Sequence, residues 1–272
     1  MDNRPIGVFD SGLGGLTAVK ELIARCPSED VVFFGDTGRV PYGTRSAPTI
    51  TRYALQDLRF LRRYDVKAVL IACGTVSTTA LPALRESCDL PIYGVVESAA
   101  RAAVRATRTG RIGVIGTGAS IRSGTYERLI REGMPDAVCT SVACPLLVPL
   151  VENGRTDPHD SVLRTVLSEY LAPILAAGVD TLILGCTHYP LLRPAIAELC
   201  GAGVSLIDPG AETADALCDR LAVSGLHADP SRHGELRVFV SDDPAGFSEN
   251  GGRFLGRDIQ AQVSLCEIDA GE

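Results

Sequence analysis

Short apolar runs alternate with amphipathic stretches from one end of the chain to the other. Ile6–Phe9, Val31–Phe34, Ala68–Ala72, Ile92–Val95, Ile112–Ile115, Leu182–Leu184, Val204–Ile207 and Val238–Val240 each read as a short buried strand. Between them lie helical patterns such as Leu16, Val19, Leu22, Ile23 and Cys26, which fall on one face of a 3.6-residue turn. Strands alternating with helices predict an α/β fold with mostly parallel sheets and helices on both faces.

The pattern repeats. "RPIGVFDSG" at 4–12 returns as "GRIGVIGTG" at 110–118, and "VLIACGT" at 69–75 returns as "LILGCT" at 182–187. The two pairs keep the same order and nearly the same spacing, so the chain reads as two similar three-layer α/β domains. The seam falls near Val96–Arg111, after a helical stretch at Glu97–Arg108. Residues 1–97 and 208–272 are expected to form the first domain and residues 98–207 the second, with the active site in the cleft between them. No Pro/Gly/Ser-rich linker separates them, which predicts close packing.

Composition narrows the class. With 272 residues and 46% hydrophobic content, a sizeable core can be buried. The net charge of −7 and the lack of a Lys/Arg run argue against nucleic acid or an anionic membrane as partner. No basic start leads into a long apolar stretch, and the longest uncharged apolar run, Ala137 to Val151, is broken by Pro145 and Pro149. A membrane span needs roughly 18 or more such residues. The expectation is a cytoplasmic protein. Nine cysteines without any C-x-x-C pair predict neither a zinc knuckle nor a redox motif, but reduced, mostly buried thiols.

Two cysteines differ from the rest. Cys73 follows the strand "AVLIA" and Cys186 follows "TLILG", so both stand at strand ends, where open α/β sheets bind their ligands. A thiol followed by Thr and a helix start also has backbone N–H groups at hand. Equivalent placement in two repeated halves lets the two thiols face each other across one cleft. His188, two residues past Cys186, is a candidate for proton handling.

The loop after the first strand, "DSGLGGL", is not a dinucleotide fingerprint: Thr17 stands where the third glycine is required, and Asp10 would repel a phosphate. Asp10 is better suited to a cation or a proton donor in the cleft, with the amides of Gly12–Gly15 open to a carboxylate. Asp36, at the end of "FFGD", repeats the theme; its alternative reading is a helix cap or turn residue.

These stretches together resemble the glutamate racemases, of the cofactor-independent aspartate/glutamate racemase superfamily: "GVFDSGLGGL", "FFGDTGRVPYG", "ACGTVS", "IGTGASIRSGTYERLI", "PLVENG", "LILGCTHYPLL" and "FVSDDPAGF". The resemblance runs over essentially the whole chain. It implies cofactor-free interconversion of L- and D-glutamate, with no metal, flavin or pyridoxal, to supply D-glutamate for peptidoglycan. It implies Cys73 as the base acting on D-glutamate, assisted by Asp10, and Cys186 as the base acting on L-glutamate, assisted by His188 and Glu152. It implies a substrate site lined by Ser11, Pro41, Tyr42, Gly43, Thr75, Thr117 and Thr187, largely through hydroxyls and backbone groups, and it implies a homodimer.

The chain departs from the family at Gly74, where an Asn usually follows the first cysteine. The glycine removes one side-chain contact to the substrate and leaves a related acidic amino acid such as aspartate as an alternative. A loop glycine there should tolerate Asn. Two other readings compete: a single-thiol enzyme of the same fold, which would lack one strand-end cysteine, and a two-lobed amino-acid-binding protein, which would normally be exported.

Overall fold

A computed structural model describes residues 1–268, so the last four residues of the expected first domain lie outside the described residues. Four strands come first: β1 (Ile6–Asp10), β2 (Val31–Gly35), β3 (Ala68–Ile71) and β4 (Ile92–Gly94). Four more follow: β5 (Arg111–Gly116), β6 (Val138–Ala143), β7 (Thr181–Gly185) and β8 (Ser205–Ile207). The chain then adds β9 (Leu236–Val240) and β10 (Val263–Leu265). They form one sheet of order β10-β9-β2-β1-β3-β4 and one of order β6-β5-β7-β8. Every pairing among the described residues is parallel.

The repeat seen in the sequence is a repeat of topology. The order β2-β1-β3-β4 in the first sheet matches β6-β5-β7-β8 in the second. In each, the first strand has its second and third strands on opposite sides, which makes a topological switch point between neighbours. There the connections leave in opposite directions and a crevice opens at the carboxyl ends. Cys73 follows β3 and Cys186 follows β7, so the two thiols occupy equivalent crevices.

The strands form where they do because β1, β2, β3 and β7 are buried along their whole length and carry continuous apolar runs. Helix Pro209–Val223 packs beside the sheets against both helix Leu16–Arg25 and helix Val95–Ala106. Their apolar sides join residues of both sheets, among them Leu70, Ile115 and Leu184, in one continuous core.

Several expectations are corrected here. Two strands are additional: β6, inside the apolar run 137–151, and the short β10. Both are edge strands. β6 carries Cys139, Thr140 and Ser141 and is only half-buried, so within that stretch no strand-length run of large apolar residues marks it. The helix expected at Glu97–Arg108 spans Val95–Ala106. The thiols are not all free: Cys26 and Cys218 form a disulfide between the end of helix Leu16–Arg25 and helix Pro209–Val223. Those helices lie side by side, yet the cysteines are 192 residues apart, a separation that leaves no local sequence signal. Of the remaining seven, Cys73, Cys144 and Cys186 are buried and Cys88, Cys139, Cys200 and Cys266 are half-buried.

Candidate active site

A cavity of about 350 Å³ opens between the two sets of strand ends. Cys73 and Cys186 both line it, with Ser11, Pro41, Tyr42, Gly43, Gly74, Thr75, Thr117, Thr187, His188 and Glu152. Asp10 lies beneath the lining, fully buried at the tip of β1. The residues expected to bind or transform the substrate are thus in or under one cavity, whereas Asp36 is not part of its lining.

On the first side, the strand β3 delivers Cys73 to the start of helix Gly74–Thr79. Its sulfur lies 3.7 Å from the Ser11 hydroxyl. Burial, and then the negative charge of Asp10, push the Cys73 thiol up to about 12, so it is protonated at neutral pH. Burial also raises Asp10, to about 6; the charge on His188 and the amides of Gly12, Gly15 and Ser11 moderate that rise. One Asp10 oxygen accepts from the Gly12 amide at 3.0 Å, and the other has no protein partner. A buried, half-satisfied carboxyl beside a thiol is a ready proton acceptor and donor.

On the second side, Cys186, His188 and Glu152 form a row. The Cys186 sulfur is 3.8 Å from His188 Nδ1, and His188 Nε2 is 3.0 Å from Glu152 Oε1. Burial alone would lower His188. The hydrogen bonds to Cys186 and Glu152 outweigh it and hold the imidazole at about 10, so it is an imidazolium at neutral pH. Glu152 sits at the end of helix Leu147–Glu152, half in solvent, which gives the row an exit to water. The two thiols therefore differ: Cys73 has a carboxylate behind it, Cys186 a cation.

Hydroxyls bridge the halves. Thr75 Oγ1 and Thr117 Oγ1 are 3.0 Å apart, and Thr117 contacts Ser120 Oγ at 3.0 Å. Ser120 is buried and carried no signal of its own in the sequence; its position three residues past a strand-end Thr, as the helix N-cap's partner, is the one hint.

Two expectations about individual residues change. The Tyr42 hydroxyl does not face the cavity. It donates to Asp36 and lies 3.1 Å from Asp57 Oδ2. Burial and the charge on Asp36 push the Asp57 carboxyl up, while Arg39, which donates to it at 2.8 Å, opposes that rise. Asp36 does stand at the N-cap position of the turn Thr37–Arg39, its carbonyl accepting from the Arg39 amide at 3.3 Å, but its side chain makes no capping bond. It is fully buried and also accepts from Arg39 at 2.6 Å and Ser241 at 2.8 Å, and this cluster anchors the Pro41–Gly43 segment from behind. Gly74 is not an open position either. A Cβ there would lie 3.0 Å from the Gly185 carbonyl oxygen, a backbone atom of the facing half, so the glycine lets the two crevices approach closely.

The lining also includes Gly12, whose amide the sequence pointed to, and Val40, Cys144, Val148 and Pro149, which sequence reasoning missed. The missed residues supply an apolar rim, and for Cys144, Val148 and Pro149 the apolar run 137–151 was the available signal. Among the described residues, no group of three or more His, Cys, Asp or Glu is placed to hold a metal ion.

The sequence profile of the Asp/Glu/Hydantoin racemase family matches residues 10–217. A glutamate racemase of Geobacter metallireducens is 48% identical over 264 residues, covering 96% of this chain and 97% of that protein. Among solved structures, a glutamate racemase isoform from Bacillus anthracis superposes with a TM-score of 0.92 at 36% identity, covering 99% of each chain. The glutamate racemase of Francisella tularensis in complex with D-glutamate gives 0.91 at 36% identity, covering 100% of each chain.

Proposed function

The chain belongs to the glutamate racemases of the Asp/Glu/hydantoin racemase family, and on that premise we propose that Cys73 and Cys186 are the two bases of its reaction. The enzyme is an isomerase that interconverts L- and D-glutamate. Its full-length relatives are glutamate racemases, so glutamate and not aspartate is the substrate.

Inversion at Cα requires a proton to leave one face and another to arrive on the opposite face. From L-glutamate, the Cys186 thiolate takes the Cα proton while the His188 imidazolium supplies its counter-charge. Cys73, a thiol at neutral pH, gives its proton to the other face, and Asp10 then manages the charge on that sulfur. From D-glutamate the roles exchange. The Cα–H of an amino acid is a very weak acid, so the negative charge that develops must be met by fixed donors. The hydroxyls of Ser11, Thr75, Thr117 and Thr187, with nearby backbone N–H groups, surround the space where a substrate carboxylate would sit. The carrying observation is that two thiols at topologically equivalent strand ends open onto one cavity, each backed by its own titratable partner.

The reading carries further expectations: two domains divided at 1–97 with 208–272 and at 98–207, a cytoplasmic homodimer, and D-glutamate supplied to peptidoglycan. The test is substitution. Cys73→Ala and Cys186→Ala should each lower racemisation in both directions by at least about 10²–10⁴-fold, the usual loss for a removed acid/base. Either variant retaining more than about a tenth of the rate contradicts the assignment, since each turnover needs both proton sites. Circular dichroism of L-glutamate incubated with the protein and no additive reads the rate directly.

A further inference from the structure

We infer that Gly14 is a positioning residue for His188: its bare Cα is the wall of the first half against which the imidazole rests, and this contact sets how His188 meets the Cys186 sulfur. The inference rests on the proposed role of His188 as the proton partner of Cys186.

Space around Gly14 is the constraint. A Cβ on Gly14 would lie 2.1 Å from Thr187 Oγ1, 2.6 Å from His188 Nδ1 and 2.8 Å from His188 Cε1. No side chain fits there without moving that ring. Nothing in the backbone asks for glycine, because Gly14 is not among the residues with positive φ. The atom that would be struck, Nδ1, is the one that faces the Cys186 sulfur at 3.8 Å.

His188 has little freedom to retreat. Its Nε2 is held by Glu152, and the edge of the Phe254 ring packs against it with centroids 5.3 Å apart at 87°. The Thr17 hydroxyl adds a tie across the same seam, 2.8 Å from the Gly14 carbonyl oxygen and 2.9 Å from that of Thr187. Gly14, Thr17 and Phe254 all belong to segments flanking the first sheet, whereas Thr187 and His188 follow β7 of the second. The first half thus carries one cysteine and also orients the proton partner of the other. The titratable groups that face His188 are Cys186 and Glu152 of its own half and Asp10 of the first.

The test compares Gly14→Ala, Thr17→Val and His188→Asn with the wild type. Two quantities are read: kcat and KM for L-glutamate, and the pH dependence of Cys186 alkylation by iodoacetamide, followed by mass spectrometry of the Cys186 peptide. Alkylation follows the thiolate and so reports the group beside the sulfur. Gly14→Ala should lower kcat about 10²-fold, as expected for a misplacement of about 1 Å, with KM changed by less than about 3-fold. Its Cys186 alkylation profile should move toward that of His188→Asn, with Cys73 alkylation unchanged. Thr17→Val, which adds no bulk, should move the profile in the same direction by less, and it decides the matter if Gly14→Ala fails to fold. If His188→Asn shifts the profile while Gly14→Ala and Thr17→Val leave it as in the wild type, the inference is overturned and the role of His188 stands. If His188→Asn leaves it unchanged as well, the role of His188 fails and the inference fails with it.

Discussion

If Asp10 and His188 serve Cys73 and Cys186 as proposed, they bracket the working range of the enzyme. The Asp10 carboxyl, lifted to about 6 by burial, must be ionised to accept a proton from the Cys73 side. The His188 imidazolium, held at about 10 by Cys186 and Glu152, must keep its proton to serve the other side. kcat/KM should therefore rise with pH through about 6, stay level, and fall through about 10. Because the two enantiomers are equally stable in water, this profile should be the same in both directions. Asp10→Asn should abolish the acid limb and leave the basic one; an unchanged acid limb in that variant would remove Asp10 from the proton path. At this scale the placement of the two cysteines and His188 around one cavity was legible because the carboxyl ends of strands line the ligand crevice of an α/β sheet. Tyr42 lines the cavity as expected, but its hydroxyl turns to two buried carboxyls, a direction no spacing encodes. Gly74 was misread because the atom it makes room for, the Gly185 carbonyl oxygen, is more than a hundred residues away.

Most strands were legible as apolar runs, the edge strands β4 and β8 among them, while the edge strands β6 and β10 were not. β1, β2, β3 and β7 announce themselves as unbroken apolar runs, whereas half-buried β6 mixes Thr and Ser with small residues. The junction between the halves is secured by a residue with no sequence motif. Asp180, just before β7, accepts from the Thr107 hydroxyl at 2.6 Å and from the amides of Arg108 and Thr109 at 2.7 and 2.8 Å. It thereby fixes the segment that leads from helix Val95–Ala106 into β5. Burial opposes its ionisation, but these hydrogen bonds prevail and hold its carboxyl well below the usual value of 3.8. A lowered folded-state pKa stabilises above the unfolded value and loses that contribution as the pH falls. Asp180→Ala should cost about 1.5–3 kcal/mol at pH 7 by urea unfolding, the range for hydrogen bonds to a charged group. The gap between variant and wild type should narrow as the pH drops from about 5 to about 2. A gap that stays constant over that range would mean the carboxylate charge plays no part.

The whole molecule is two copies of one strand order turned toward each other, and that duplication was the clearest long-range message of the sequence. What the repeat does not reveal is how the copies touch. The Gly14–His188 contact, the Thr17 tie and the Cys26–Cys218 disulfide all join segments distant in sequence, and each depends on packing that no local pattern records. No helix among the described residues is long and apolar enough to cross a membrane. The central claim is that the duplicated crevices place one proton-transferring sulfur on each face of the substrate. The most direct measurement is racemisation of L-glutamate in deuterium oxide, stopped at low conversion. With Cys186 removing the Cα proton and Cys73 delivering a solvent-derived deuteron, the D-glutamate formed should carry deuterium at Cα and the recovered L-glutamate almost none. The mirror result should follow from D-glutamate. Substantial early deuterium in the recovered substrate would mean that one base serves both faces, and would contradict the account.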